Sequence, residues 1–512
     1  MLVRFNRFIP PQGYDLSMNT DAASIAATLP HPLDGDSPRG RLVILITCCL
    51  ALVLTAMDAT IVNIALPAIR SDLHASVAEL QWSIDAYTIV VASFLLLAGS
   101  IADRFGRRRT FQAGLLLFSA GSLLCSVAPS ARVLVAARVV QAVGGSMLNP
   151  VAMSIIVNTF LDPKERARAV GIWGAAFGVA MAAGPLLGGV LVESVGWRSI
   201  FWVNIPLGVI AFGLTARFVR ESRAERPRHF DFFAQGLVIT ALFALTSAVI
   251  DGRHAGWTSW PITVGFATAV ASAAGLVVWE SRHREPLLDP RFFRSLPFAA
   301  ATLVAVLAFA AFSGFLFLNS LYLQEARGMP ASRAGLATLP VALALVVCSP
   351  LSGRLVGAGR ARLALVLAGA AIATGAALLT ALAQDTPLSY LLAAYGIFGI
   401  GLGMVNAPIT NTAVSGMPRS HAGLASAVAS TSRQVGASLG VALAGSLAGT
   451  GIESAHRLDF AAATHGFFWV SAGLGMAIVL LGLASTGARA RASAARVASL
   501  LDGASRSSAQ GS

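Results

Sequence analysis

Fourteen apolar runs recur along this chain between short polar breaks, and no other feature constrains the fold as much. They cover residues 42–66, 82–103, 110–128, 132–154, 168–191, 199–218, 234–252, 260–280, 297–323, 335–357, 362–384, 388–411, 422–448 and 463–487. Each approaches or exceeds the roughly 20 residues that cross about 30 Å of hydrocarbon. Lipid offers no hydrogen-bond partners, so each run must pair its own backbone and is predicted to be a helix. Of 512 residues, 56% are hydrophobic and 12% charged, too few polar groups to clothe a soluble globule of this size. The expected fold is an all-α polytopic membrane protein; a soluble enzyme and a disordered chain are excluded.

The charges orient the bundle. There are 37 Lys+Arg against 24 Asp+Glu, a net charge of +13, and Lys164 is the only lysine. With the N-terminus on the cytoplasmic side, inward-facing segments carry 28 of the basic residues and outward loops 7; Arg138 and Arg433 lie inside predicted helices. That bias predicts both termini in the cytoplasm, in a cell (inner) membrane protein. It also explains the basic balance without nucleic acid, which is not an expected partner.

Several chemistries are missing from the sequence. No Gly-Lys-Ser/Thr phosphate loop is present, so the chain has no ATPase site of that kind. There is no His-Glu-x-x-His, and the four cysteines sit in apolar runs without metal-ligand spacing. The chain is expected not to be an enzyme and to hold no metal or cofactor.

The domain reading is a cytoplasmic tail at 1–41, a six-helix bundle at 42–218, a linker with two extra transmembrane helices at 219–296, a second six-helix bundle at 297–487 and a cytoplasmic tail at 488–512. Met18 is an alternative start. The Ala/Ser/Arg-rich last segment is expected to be disordered. Gly/Arg turns at 99–109 and 353–362 end corresponding helices, as in a six-plus-six repeat.

Charges inside apolar helices are costly and mark function. Asp58 lies about 13 Å below the outer end of the first run, Asp85 about one turn into the second, and Arg138 about 9–10 Å into the fourth. Burial favours a protonated carboxyl and a nearby arginine an ionised one. One aspartate is expected to pair with Arg138 and the other to exchange protons. Arg433, mid-depth in the thirteenth run, completes the candidate proton-coupling and substrate set.

Other motifs carry a family resemblance. The run Gly99-Ser100-Ile101-Ala102-Asp103-Arg104-Phe105-Gly106-Arg107-Arg108-Arg109 resembles the loop between helices two and three of the major facilitator superfamily. Arg138, Gln141 and Gly144 resemble its helix-four motif, and Gly184-Pro185-Leu186-Leu187-Gly188-Gly189 its antiporter motif. The stretch from Asp58 to Pro67 resembles the helix-one motif of the fourteen-helix drug:proton antiporter group. Tyr322-Leu323-Gln324 and Gly335 to Pro340 are similar to that group's later half. Two positions depart, Ala142 and Ala180, each a small residue for a glycine.

The resemblance implies two six-helix bundles with two extra helices between them. Asp103, Arg104, Arg107 and Arg108 would form a cytoplasmic latch between helix ends, with Gly99 and Gly106 allowing its turn. Gly184 and Pro185, with Gly188 and Gly189, would bend helix five and seal the cavity. The implied activity is proton-coupled efflux of amphipathic drugs or toxic compounds by alternating access, reset by protonation of Asp58 together with Asp85. Two buried carboxylates would favour cationic compounds. Phe309, Phe312, Phe315 and Phe317 are candidates for an apolar cavity wall, although core or lipid contact is the commoner role of phenylalanine. A periplasmic adaptor is a further expected partner, and the proton gradient is the expected drive. The alternatives are a dedicated exporter of one endogenous metabolite, such as an antibiotic or siderophore, and proton-coupled uptake.

Overall fold

The computed structural model describes residues 37–224, 231–283, 289–415, 417, 422–453 and 457–510. Most of the N-terminal tail, Met18 and Arg419 therefore lie outside the described residues. Each of the fourteen runs is helical. The first half comprises α1 (Pro38–Leu73), α2 (Val77–Phe105), α3 (Arg107–Ser126), α4 (Ala131–Thr159), α5 (Pro163–Ser194) and α6 (Asn204–Phe218), the last preceded by the short helix Ser199–Trp202. The extra pair is α7 (Phe232–Ala255) and α8 (Trp260–Arg282). The second half comprises α9 (Leu296–Leu321), α10 (Leu339–Gly357), α11 (Ala361–Leu379), α12 (Leu388–Val414), α13 (Ala422–Glu453) and α14 (Arg457–Ser485).

Local chemistry sets the boundaries. Ser37, Ser130 and Asp162 accept from backbone amides at the starts of α1, α4 and α5, satisfying donors that a helix leaves unpaired. Ser76 and Glu79 form a reciprocal capping box at α2. α1 has 36 residues, about 54 Å long, so it extends well past the hydrocarbon slab that its apolar run was predicted to fill.

Eleven of these helices are long and apolar enough to cross a membrane, and α2, whose parts Val77–Leu95 and Leu97–Phe105 meet at 52°, makes a twelfth. α3 and α13 are helices at the predicted places but are not among these spans, so the count of fourteen is not reached by this measure among the described residues. Their glycines explain how they pack. A Cβ on Gly121 of α3 would lie 2.5 Å from the Gln141 backbone of α4, and one on Gly436 would meet the Val306 backbone of α9.

One expectation fails outright. Residues Ala488–Gln510, predicted to be disordered, form α15. Ala490, Ala494, Val497 and Leu501 recur at helical spacing and are buried, and Ser493 Oγ accepts from the Leu296 amide. That apolar stripe, thin among Ala, Ser and Arg, supplies the packing that composition alone conceals.

The two halves meet along three seams: α2 with α13, α1 with α9, and α5 with α10 and its preceding helix Ala331–Ala337. α7 packs on both α2 and α13, with Gln235 donating to Ser93 O of one and Thr246 within 3.2 Å of Ser438 on the other. The halves are bolted at one end. Gln81 donates to Val441 O and Ala442 O, Gln324 to Ile64 O, Arg70 pairs with Glu325 at 2.7 Å, and the Ser332 amide donates to Glu193. Toward the opposite end the α5–α10 seam parts. Added Cβ atoms would touch Ala331 O at Gly189 and still reach Val346 at Gly178, but at Gly171, Gly174, Gly353 and Gly357 they would find nothing within 4 Å.

Candidate functional site

The interior of the first half holds a polar knot of five residues. Arg138 Nη1 donates to Asp58 Oδ2 at 2.5 Å and to Gln141 Oε1 at 2.6 Å. Gln141 Nε2 donates to Asp58 Oδ1 and Ser122 Oγ, both at 2.8 Å. Asn204 Nδ2 donates to the same two oxygens at 3.1 and 3.3 Å. Arg138 Nε donates to Ser83 O, and the guanidinium lies 4.2 Å from the Tyr87 ring centroid. Asp58 and Arg138 are 0% and 1% exposed, so their charges meet in a low-dielectric interior. α1, α2, α3, α4 and α6 are thereby tied through one hydrogen-bond network centred on the Asp58–Arg138 pair.

Asp58 and Arg138 thus meet directly, as sequence spacing suggests, but both Asp58 oxygens are taken. Asp85 stands apart. It is fully buried, and its oxygen partners are hydroxyls: Oδ1 accepts from Thr88 at 3.5 Å, and the Ser438 hydroxyl lies within hydrogen-bonding reach. Its carboxyl sits beside Ser438 of the second half, whose hydroxyl meets Thr246 of α7. Three bodies therefore converge on Asp85. Arg433 is in neither cluster: its Nη2 donates to Ser430 Oγ, one turn back on α13.

The 99–109 run builds a second junction. Asp103 pairs with Arg107 at 3.1 Å, Arg107 N donates to Ser222 O, and Arg108 Nη2 donates to Ala216 O. Glu221, on the segment following α6, caps α3: its oxygens accept from the Arg108 and Arg109 amides at 3.1 and 3.2 Å. Helix α3 has no cap residue of its own, and a carboxylate at its N-terminus also opposes the helix dipole favourably. Gly106, at φ +111°, would place a Cβ 2.5 Å from the Glu221 carboxyl carbon. Gly99 plays no part in the turn: it lies inside α2 with nothing within 4 Å of an added Cβ, so its expected role is withdrawn. Arg104 adjoins the junction at the end of α2.

Gly106→Ala is expected to cost about 1–3 kcal/mol, from the backbone strain alone, and to displace Glu221. A lowered melting midpoint in detergent, with faster proteolysis within residues 219–224, would show it; an unchanged midpoint would remove Gly106 from the junction.

The Gly184–Gly189 run lies at the bolted end. An added Cβ on Gly184 would strike Thr60 Oγ1, and one on Gly188 would lie 2.6 Å from both Ile61 and Ile64. Gly189 faces Ala331 O of the second half at 2.5 Å, and Pro185 O occupies the space beside Gly335. α5 continues unbroken through Pro185. These residues therefore serve close packing on α1 and across the halves rather than a break in the helix. The phenylalanines of α9 are mostly core: Phe312, Phe315 and Phe317 are 7%, 0% and 0% exposed, and Phe315 stacks near Tyr395 and Phe398.

Sequence reasoning missed Ser122, Asn204 and Glu221, and every contact between the halves. Neutral amides and hydroxyls in an apolar run carry little signal, and Arg70 and Glu325 are 255 residues apart.

The sequence profile described as Major Facilitator Superfamily matches residues 48–441. The multidrug resistance protein Stp of Mycobacterium tuberculosis is 38% identical over 409 residues, covering 80% of this chain and 76% of that protein. The tetracenomycin C resistance and export protein of Streptomyces glaucescens is 36% identical over 408 residues, covering 79% and 75%. Among solved structures, an auto-inhibited peptide transporter of the POT family superposes with a TM-score of 0.61 at 19% identity, covering 88% of this chain and 97% of that one.

Proposed function

The chain belongs to the major facilitator superfamily, and from that premise we propose that it expels amphipathic drugs or toxic compounds from the cell in exchange for protons. It is a multi-span membrane transporter and not an enzyme. Relatives named for multidrug resistance and for resistance and export support the efflux direction. In this reading all fourteen helices cross the inner membrane, α3 and α13 shielded by their neighbours. The arginine bias puts both termini and the Asp103 end in the cytoplasm. The bolted end then faces outward, and the parted α5–α10 seam gives cargo access from the cytoplasmic side.

The observation that carries proton coupling is Asp85. A fully buried carboxyl that meets only the Thr88 and Ser438 hydroxyls, with no cation beside it among the described residues, is built to take a proton, since an ionised group there would lack a counter-charge. Its position between the halves and α7 lets protonation bias how they pack. Asp58 is the pinned member: its oxygens already accept from Arg138, Gln141 and Asn204. The expected preference for cationic cargo rested on two available carboxylates. With one engaged, the amphipathic class is retained and the cationic preference is not. The proton gradient supplies the drive, the electrical part being about 2.3 kcal/mol per charge per 100 mV.

A narrower reading, export of one endogenous antibiotic, is favoured by the relative named for a single compound. A growth-inhibition panel in a pump-deficient host, with and without an uncoupler, separates them. Protection against several unrelated amphipathic compounds, lost with uncoupler, is the expected result. Protection against one compound selects the dedicated exporter. Accumulation of compound in expressing cells would replace export with uptake.

A further inference from the structure

Among the described residues Arg433 is a charge without a counter-charge. Among the described residues no carboxylate lies within ion-pair distance of it, and its hydrogen bond goes to a neutral hydroxyl on its own helix. By contrast Arg138 and Arg70 each meet a carboxylate. An isolated cation inside a membrane bundle is costly and is retained where something binds it.

The stripe of α13 that carries Arg433 shows where it looks. Residues 426, 430, 433, 437 and 444 follow one another at steps of three, four and seven, so they share a helix face. On that face Ala437 and Ala444 are 8% and 0% exposed, whereas Ser426, Ser430 and Arg433 are half-buried. The flanking faces are occupied. Gly436 and Gly440 press on the α9 backbone, and Val441 O and Ala442 O accept from Gln81 of α2. The stripe therefore points between α9 and α2, toward the axis where the halves face each other. It passes from sealed to open at Arg433. The guanidinium leans back toward Ser430, into the open part, as a helical side chain leans toward its N-terminus.

We propose that Arg433 is the receptor for an anionic group of the cargo, a carboxylate or an ionised phenol, where the α13 stripe passes from sealed to open between the halves. The transported compounds would then be amphipathic acids: an apolar body against the helices and one negative charge on Arg433. A planar guanidinium suits this work because it can offer two parallel donors to a carboxylate. Ser430 holds one amine nitrogen, Nη2, and leaves the remaining donors for the ligand. This inference rests on the export reading for its cargo but not for its site.

Dansyl-leucine, its methyl ester and dansylcadaverine share a fluorophore and differ in charge. Their equilibrium binding to the purified full chain in nanodiscs, and their uptake into everted vesicles, should be compared for the wild type, Arg433→Lys and Arg433→Gln. The wild type should bind the acid about tenfold more tightly than the ester or the amine. Arg433→Gln should lose that margin for the acid alone, about 1.4 kcal/mol, and Arg433→Lys should keep part of it. Normal binding of the ester by Arg433→Gln shows that the variant is folded. No binding of the acid by the wild type, or equal binding by Arg433→Gln, overturns the proposal. Displacement of the acid by chloride at physiological strength would make the site one for inorganic anions and overturn the cargo assignment. Binding of the acid without vesicle uptake would sink the export reading while the site stands.

Discussion

Arg138→Met is expected to destabilise the folded transporter by about 3–5 kcal/mol, the usual result of removing one member of a buried ion pair. The substitution fills the space but leaves the Asp58 carboxylate buried with only Gln141 and Asn204 as donors. It also frees Ser83 O and removes the cation from the Tyr87 face. Against a total stability of about 5–15 kcal/mol for a typical domain, this is a large fraction. The double variant Asp58→Leu/Arg138→Met should regain much of the loss, because it removes both charges and their desolvation cost together. The check is the fraction of monodisperse protein remaining after stepwise heating in detergent, for the two single variants and the double. A single Arg138→Met variant that melts with the wild type would mean that the knot does not hold the first half together.

How much of this was legible in the residues follows from energetics. Asp58 and Arg138 stood out because a charge in an apolar run is expensive enough to be rare. Their pairing was readable because both enter from the same end at similar depth. Asn204 and Ser122 close the same knot yet were invisible, since an amide or hydroxyl costs far less in such a run. The glycines of the 184–189 stretch were readable as a motif of helix five, but not that Gly189 touches the second half, because that depends on how the two bundles dock. Gly99 was misread from its motif: the turn needs a positive φ only at Gly106. α15 was misread from composition, although Ala490, Ala494, Val497 and Leu501 already lay at helical spacing. The apolar runs gave the helices but not their overhangs, because the ends of α1 are set by Ser37 and His74 and not by hydropathy.

Asp85→Asn should separate coupling from folding. Asparagine matches the carboxyl in size and can accept from Thr88, so the junction of α2, α13 and α7 should stay intact. It cannot gain or lose a proton. Energised everted vesicles carrying it should lose proton-driven uphill transport at least tenfold, roughly the effect of 1.4 kcal/mol on a rate. Downhill counterflow of the same labelled compound should persist, because exchange needs the halves to rock but no net proton movement. Asp58→Asn should fail differently. It leaves the Arg138 guanidinium buried without its carboxylate, so loss of folded protein should precede any loss of coupling. If Asp85→Asn still drives uphill transport while Asp58→Asn folds normally and does not, the proton would travel through the Arg138 pair instead. The buried carboxyl of Asp85 would then be a packing feature of the seam, and the two carboxyls would exchange the roles that their surroundings support here.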